Sequence, residues 1–295
     1  MASFPEHAAT MLPLPALRRL LPLLACLLLS ACASIPDADQ RSASATQLAA
    51  SHGWQAQALR TDRFLLQAML PPDPPAAGQL TVYIEGDGLA WLNRDTPSFD
   101  PTPITPLALQ LALQDDGAAA YLARPCQYLL AANPGCSQRY WTQQRFAPEL
   151  IHASNQALEQ LKQRFQARQL VLVGYSGGAA VAALLAARRD DVAGLITVAG
   201  NLDHVAWSSQ LALTPLAGSL NAADSWAQLL RVPQLHFVGT DDRQTGMLAV
   251  APFVQRFPPA KRPPVSLQSG FGHQCCWAAN WPALLRYARS HWRLP

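Results

Sequence analysis

The chain has 295 residues, of which half are apolar and only 14% are charged. This length and apolar content suffice for one large hydrophobic core or two small ones. The formal net charge of +3 is small, and lysine and arginine form only short pairs, which argues against nucleic-acid binding. The chain contains no internal repeats or heptads, which argues against solenoids and coiled coils.

The N-terminus is predicted to be a targeting segment rather than part of the fold. Two arginines precede an apolar run at residues 20–29, which Ser30-Ala31-Cys32 follows. This run is too short to cross a hydrocarbon core of about 30 Å, so it indicates a signal peptide. Small residues before a cysteine resemble a bacterial lipobox. The resemblance implies cleavage before Cys32 and attachment of lipid to that residue.

Alternatives stay open at this terminus. An ordinary secretory signal followed by a bystander cysteine fits the same pattern, and Met11 could be the true start. Cys26 ends a second possible lipobox, but cleavage there would leave too short an apolar run before it. Ala33 stands where an aspartate often signals retention in the inner membrane. We therefore expect a lipid-anchored protein of the bacterial envelope, at the outer membrane and facing the periplasm.

The remaining chain divides into a tether with an N-terminal helix at 33–60 and one folded domain at 61–295. The predicted strands are 64–70, 80–84, 118–123, 170–173, 193–199, 235–238 and 265–268. Helical patterns lie at 106–114, 148–167, 247–257 and 277–289, and an alanine-rich run ends at 189. The alternation predicts an α/β fold with a mainly parallel twisted sheet and helices on both faces. Residues 205–230 allow a small lid but no large cap domain.

The loop after strand 80–84 is predicted to contribute to an oxyanion hole. It reads Glu85-Gly86-Asp87-Gly88, and glycines let the backbone approach a developing oxyanion. The backbone N–H groups of Asp87 and Gly177 are predicted to bind the oxyanion together. The N–H of Gly88 is the alternative to that of Asp87. The aspartate side chain should point away from the oxyanion or hold the loop. An ordinary loop turn is the alternative interpretation.

Strand 170–173 runs into Gly174-Tyr175-Ser176-Gly177-Gly178, and a helix-prone run follows. The pentapeptide fits the G-x-S-x-G nucleophile elbow, in which a serine lies on a sharp strand-to-helix turn. The glycines two before and two after the serine would face neighbouring backbone, where a side chain would clash. A small-residue turn without a catalytic role has the same pattern, so the prediction of a nucleophile depends on finding a base and an acid.

His273 is the predicted base for Ser176, because it lies in a Gly-Phe-Gly-His loop after the last strand. A histidine can accept and return a proton near neutral pH, which a serine nucleophile requires. His204 is an alternative, but it follows the serine too soon. The other histidines lie in the signal, the tether, a helix, a strand or the C-terminus.

Asp242 is the predicted acid that orients the histidine, because it follows the strand before the last one. Adjacent Asp241 and Asp203, at the end of the strand after the elbow, are the alternatives. The order serine, aspartate, histidine is the chain order of α/β-hydrolases. All these groups lie at the carboxyl ends of predicted strands, where parallel sheets bind ligands.

Four cysteines lie beyond the predicted lipobox: Cys126, Cys136, Cys275 and Cys276. Export permits disulfides, and four cysteines allow more than one pairing. The favoured pair is Cys126 with Cys136, which closes a short loop. The adjacent pair would then form a vicinal disulfide or remain two thiols. No CxxC motif or patterned histidine pair accompanies them, so we expect no metal site.

Together these motifs resemble those of α/β-hydrolases of the exported bacterial lipoprotein type, over roughly residues 60–295. The resemblance rests on 85–88, Arg124-Pro125-Cys126, the elbow, 239–242 and Gly272-His273-Gln274-Cys275-Cys276-Trp277. It implies a serine hydrolase with an acyl-enzyme intermediate and no metal or organic cofactor. Glu85-Gly86 departs from the His-Gly pair of many relatives. We expect a small-molecule or lipid-derived carboxylic ester as substrate, with peptide or amide hydrolysis, or a non-catalytic envelope lipoprotein, as alternatives.

Overall fold

A computed structural model describes residues 35–292 of the protein, so the predicted signal peptide and Cys32 lie outside the described residues. The first element is helix α1 (Ala38–Ser51), within the predicted tether and helix region. Asp37 caps it, since the Asp37 side chain accepts the Gln40 N–H and the Gln40 side chain accepts the Asp37 N–H. No helix within 35–292 is long and apolar enough to cross a membrane.

Eight strands within residues 35–292 form one sheet. They are β1 (Gln55–Arg60), β2 (Leu65–Leu70), β3 (Gln79–Ile84), β4 (Ala119–Leu122), β5 (Gln169–Tyr175), β6 (Val192–Val198), β7 (Gln234–Gly239) and β8 (Val265–Gln268). Their order across the sheet is β1-β2-β4-β3-β5-β6-β7-β8. The pairs β1–β2 and β2–β4 are antiparallel, and the remaining neighbours are parallel. The predicted mainly parallel sheet is therefore confirmed.

The structure has a strand, β1, before the first strand that the sequence predicts, and the predicted strand 64–70 corresponds to β2. Strand β1 is largely exposed and polar, and it pairs along its whole length with β2 at the edge of the sheet. An edge strand has only one neighbour, so it does not need the apolar run that marks a central strand. For this reason the pattern of apolar residues locates β2 but gives no signal for β1.

Helices cover both faces of the sheet, as predicted. They are α2 (Leu107–Ala112), α3 (Pro148–Arg164), α4 (Gly177–Ala186), α5 (His204–Gln210), α6 (Trp226–Leu229), α7 (Gly246–Gln255) and α8 (Trp277–Trp292). On one face α3, α4 and α7 contribute to a hydrophobic core, and on the other face α1, α2 and α8 do so. Every residue of α4 is buried, because its alanines let the sheet and neighbouring helices approach closely. The insert between β6 and β7 contains two short helices, which matches the predicted small lid.

Two disulfides join cysteines within the described residues. Cys126 pairs with Cys136 in the irregular insertion after β4, with their Cα atoms 5.7 Å apart. Cys275 pairs with Cys276, so of the two alternatives for the adjacent cysteines the structure has the vicinal disulfide. The first disulfide fixes the insertion that packs beside the predicted oxyanion loop.

Candidate active site

Ser176 lies on a sharp turn between β5 and α4. Its backbone has φ 52° and ψ −120°, a conformation that is strained for a residue with a side chain. A Cβ atom on Gly174 would lie 2.5 Å from the Ala179 Cα, and one on Gly178 would lie 2.3 Å from the Ile84 carbonyl oxygen. Both positions therefore require glycine, which is the physical basis of the elbow pattern.

Ser176, His273 and Asp242 form one hydrogen-bonded chain. His273 Nε2 lies 2.9 Å from Ser176 Oγ, and His273 Nδ1 lies 3.0 Å from Asp242 Oδ2. The serine follows β5, the aspartate follows β7 and the histidine follows β8, so the carboxyl ends of three strands bring them together. This is the arrangement in which a histidine can take a serine proton while a carboxylate orients the ring.

The environment of Asp242 keeps it ionised. Its Oδ1 accepts the N–H groups of Gln244 at 2.9 Å and Thr245 at 3.1 Å. Burial acts to raise the pKa of Asp242, but the hydrogen bond and charge of His273, together with these N–H groups, lower it to about 2. Asp242 is therefore a carboxylate at neutral pH and can stabilise an imidazolium ion.

The two alternative acids have other partners. Asp241 is exposed and accepts a hydrogen bond from the neighbouring threonine hydroxyl. Asp203 is buried at the start of α5, where it accepts the Ala206 N–H at 3.1 Å and an asparagine amide at 3.0 Å. Asp203 thus serves as a helix cap. Of the three carboxylates weighed from the sequence, Asp242 is the one that contacts His273.

The loop at 85–88 lies directly beside the serine. A Cβ atom on Gly86 would be 3.2 Å from Ser176 Cβ. Gly177 begins α4, so its N–H has no acceptor inside the helix. Among residues 35–292 no acceptor takes the Asp87 N–H. Both N–H groups can therefore serve an oxyanion, and their assignment as its donors stays a prediction.

Two arginines pair with Asp87 at this site, and no pattern in the sequence predicts these contacts. Arg124 Nη1 lies 3.1 Å from Asp87 Oδ1, and Arg145 Nη1 lies 2.6 Å from Asp87 Oδ2. Burial acts to raise the pKa of Asp87, but the two guanidinium groups outweigh it and lower the pKa. The carboxylate lies against Gly177, where a Cβ atom would be 2.1 Å from Asp87 Oδ1. The Asp87 side chain therefore holds the loop, with its charge balanced by arginine.

Glu85 and Gln127 fix the same loop from inside. Glu85 Oε1 accepts the Gly86 N–H at 2.9 Å, and Gln127 Nε2 donates to the Gly86 carbonyl oxygen at 3.0 Å. Burial raises the pKa of Glu85 to about 7, although N–H groups of the loop and of α2 act to lower it. Near neutral pH this carboxyl group is therefore partly protonated.

A cavity of about 340 Å³ contains Ser176 and His273. Trp91, Ile104 and Trp207 give it apolar walls, and Arg145 and Asn201 supply polar groups. Its size is in the range of small-molecule sites. Within residues 35–292 no group of three or more histidine, cysteine, aspartate or glutamate side chains is arranged to hold a metal ion.

Solved structures with a similar architecture include α/β serine hydrolases. The chain is similar to an α/β serine hydrolase homologue from Coxiella burnetii, with 15% identity and a TM-score of 0.53, over 80% of this chain and 96% of that one. It is similar to an esterase from Pyrococcus furiosus, with 10% identity and a TM-score of 0.56, over 82% of this chain and 95% of that one.

A third similar structure is an α/β serine hydrolase without a lid from Xanthomonas campestris. It has 14% identity and a TM-score of 0.52, over 81% of this chain and 94% of that one. No model of a known protein family matches the chain, and no curated protein matches it either. The chain has the α/β-hydrolase fold, as predicted, and its structural neighbours are α/β serine hydrolases.

Proposed function

We propose that the protein is a serine hydrolase that cleaves carboxylic esters through an acyl-enzyme intermediate on Ser176. The observation that carries this proposal is the hydrogen-bonded chain from Ser176 Oγ through His273 to Asp242, at the strand ends of an α/β-hydrolase sheet. A serine hydroxyl becomes a useful nucleophile only when a neighbouring base takes its proton. The strained elbow holds the hydroxyl at that base.

In the proposed reaction, His273 Nε2 accepts the Ser176 proton as Oγ attacks the ester carbonyl carbon. The negative charge moves to the carbonyl oxygen, where the N–H groups of Asp87 and Gly177 bind it. Asp242 stabilises the imidazolium, which then protonates the leaving alcohol as the carbon–oxygen bond breaks. Water attacks the acyl-enzyme by the same route and releases the carboxylic acid and free serine.

The lining of the cavity supports an ester rather than a peptide with a free amino terminus. A buried ammonium group needs a partner for its charge, and a carboxylate is the usual partner. Of the carboxyl groups lining this cavity, Asp87 is paired with two arginines, and Glu85 is buried and bonded to the loop backbone. The apolar walls formed by Trp91, Ile104 and Trp207 suit an acyl chain instead.

Fluorophosphonate labelling of wild type and Ser176→Ala tests the nucleophile. We expect wild type to label and the variant not to label. Equal labelling of both proteins, or none of wild type, would contradict the proposal. Turnover of p-nitrophenyl esters should then exceed that of the matching p-nitroanilides. Faster hydrolysis of the anilides would assign the site to amides.

Lipid attachment at Cys32 is a separate proposal, supported by the lipobox pattern in the sequence. If it is correct, globomycin should block processing of wild type, and Cys32→Ser should lose this globomycin-sensitive processing. Globomycin-sensitive processing that persists in Cys32→Ser would overturn the anchor. That result would leave the proposed hydrolase activity untouched.

A further inference from the structure

Arg145 contacts the proposed oxyanion loop and also lines the cavity that contains Ser176. Its Nε donates to the Thr142 carbonyl oxygen at 2.7 Å, and its Nη1 donates to Asp87 Oδ2 at 2.6 Å. A guanidinium carries five N–H donors. The third nitrogen, Nη2, has no acceptor among residues 35–292. Because Arg145 lines the cavity and is 6% exposed, its spare donors are available to a molecule bound there.

The charges around this arginine do not cancel. Arg124 and Arg145 share one carboxylate, that of Asp87. Arg124 also has partners away from the cavity, since its Nη2 donates to the Arg145 carbonyl oxygen and its guanidinium stacks on the Phe146 ring, and it does not line the cavity. Glu85 also lines the cavity, but burial raises its pKa to about 7, which limits its negative charge at neutral pH. The cavity therefore has a positively charged wall beside the nucleophile.

Asn201 adds a second polar group on the same cavity. It is 2% exposed, and neither its side-chain Oδ1 nor its side-chain Nδ2 has a hydrogen-bond partner among the described residues. Its Nδ2 can donate to an anion, whereas its Oδ1 can only accept a hydrogen bond. Its backbone N–H donates to the Ser176 carbonyl oxygen at 3.0 Å, which fixes it next to the elbow. Buried polar groups without a partner are uncommon in folded proteins, so this side chain is available to a molecule bound in the cavity.

We infer that Arg145, assisted by Asn201, binds an anionic group of the substrate while the ester carbonyl lies over Ser176. The group is a carboxylate or a phosphate, because a guanidinium matches the oxygen geometry of both. This inference rests on the proposed function and names the substrate class of the same site: esters whose acyl or alcohol part carries a negative charge. Arg145 is then a specificity-determining residue.

Two esters of equal acyl length test the inference. Mono-p-nitrophenyl adipate carries a terminal carboxylate where p-nitrophenyl hexanoate carries a methyl group. We expect wild type to have a kcat/KM about tenfold or more higher for the adipate, the size of a charge-assisted hydrogen bond. Arg145→Met should bring the ratio of the two kcat/KM values close to one, and Arg145→Lys should keep part of the preference.

Matched variants separate charge recognition from loop position. Arg94→Met removes an exposed arginine that does not line this cavity, so it should leave the ratio unchanged. Asn201→Asp leaves Arg145 and Asp87 in place but adds a negative charge, so it should lower the ratio. If wild type prefers the hexanoate, or if Arg145→Met slows both esters equally, Arg145 only positions Asp87 and the inference is overturned.

A binding measurement keeps this inference distinct from the proposed function. In Ser176→Ala, tryptophan fluorescence reports the cavity, because Trp91 and Trp207 line it. We expect monomethyl adipate or propyl phosphate to bind more tightly than methyl hexanoate, and the tighter of the two anions identifies the group. If the double variant Ser176→Ala/Arg145→Met binds the anions and methyl hexanoate equally tightly, the inference is supported. If neither anion binds more tightly than the neutral ester, the inference is overturned, whether or not wild type hydrolyses esters.

Discussion

Backbone crowding holds the elbow around Ser176, the proposed nucleophile side of the site, whereas buried ion pairs hold the loop at 85–88, the proposed oxyanion side. The elbow around Ser176 is so crowded that Gly174 and Gly178 have no room for a side chain. Gly88 in the loop at 85–88 is crowded in the same way, but this loop is also held by Asp87, whose partners Arg124 and Arg145 lie 37 and 58 residues away in sequence. The first kind of constraint can be recognised within five residues, and the second cannot.

The two sides should therefore respond differently to substitution. Changes to Ser176 or His273 should remove chemistry alone, because the crowding at Gly174 and Gly178 keeps the elbow in shape without their functional groups. Changes to Asp87 or Glu85 disturb the loop itself, because their side chains hold the backbone donors in position. Activity and stability should separate on the nucleophile side and change together on the oxyanion side.

The largest effect is expected from Ser176→Ala. Without the hydroxyl no acyl-enzyme can form, and kcat for a p-nitrophenyl ester should fall by about 10⁴-fold or more. The fold should be retained, since alanine keeps the Cβ atom and no other residue depends on the Ser176 hydroxyl except His273. Steady-state kinetics and thermal unfolding of the same preparation check the loss of activity and the retention of the fold. A large drop in melting temperature would contradict the separation of activity from stability.

Asp242→Asn should follow, with kcat lower by about 10³–10⁴-fold, because an amide cannot stabilise the imidazolium and can favour the wrong tautomer. Asp241→Asn is the matched control, since the adjacent carboxylate is exposed and does not contact His273. It should retain close to wild-type kcat. If the two variants lose activity equally, Asp242 does not have the proposed role.

On the oxyanion side, Asp87→Asn should lower both activity and stability. Two buried arginines lose their carboxylate, which costs about 3 kcal/mol in the free energy of unfolding. Displacement of one backbone donor should lower kcat by about 10²-fold. Denaturant unfolding and ester kinetics measure the two effects. The control is Asp95→Asn, which changes an exposed carboxylate in the next loop. A variant of wild-type stability that has lost activity would show that Asp87 does not hold the loop.

The same contrast explains how far the sequence predicts this protein. The fold class follows from alternating apolar runs, and the order of Ser176, Asp242 and His273 follows from motifs at strand ends. These signals are local, since each strand and each turn places its own residues. Arg145 lies in the irregular insertion between β4 and α3, where no periodicity indicates which partner it will meet. Its contact with Asp87 depends on packing between distant segments, so only the structure reveals it.

The most specific effect concerns Glu85 and the pH dependence of stability. Its pKa is about 7 in the folded protein, above the ordinary value of 4.5, so the folded state binds more protons than the unfolded state between these values. The contribution of this raised pKa to the free energy of unfolding is fully present below pH 4.5 and is lost as the pH rises through 7, by about 3 kcal/mol in total. Glu85→Gln should remove this decline in the free energy of unfolding. Glu159→Gln, which changes a surface carboxylate paired with Arg189, should keep it. Parallel curves for wild type and Glu85→Gln from pH 5 to 8 would mean that Glu85 does not couple the loop to pH.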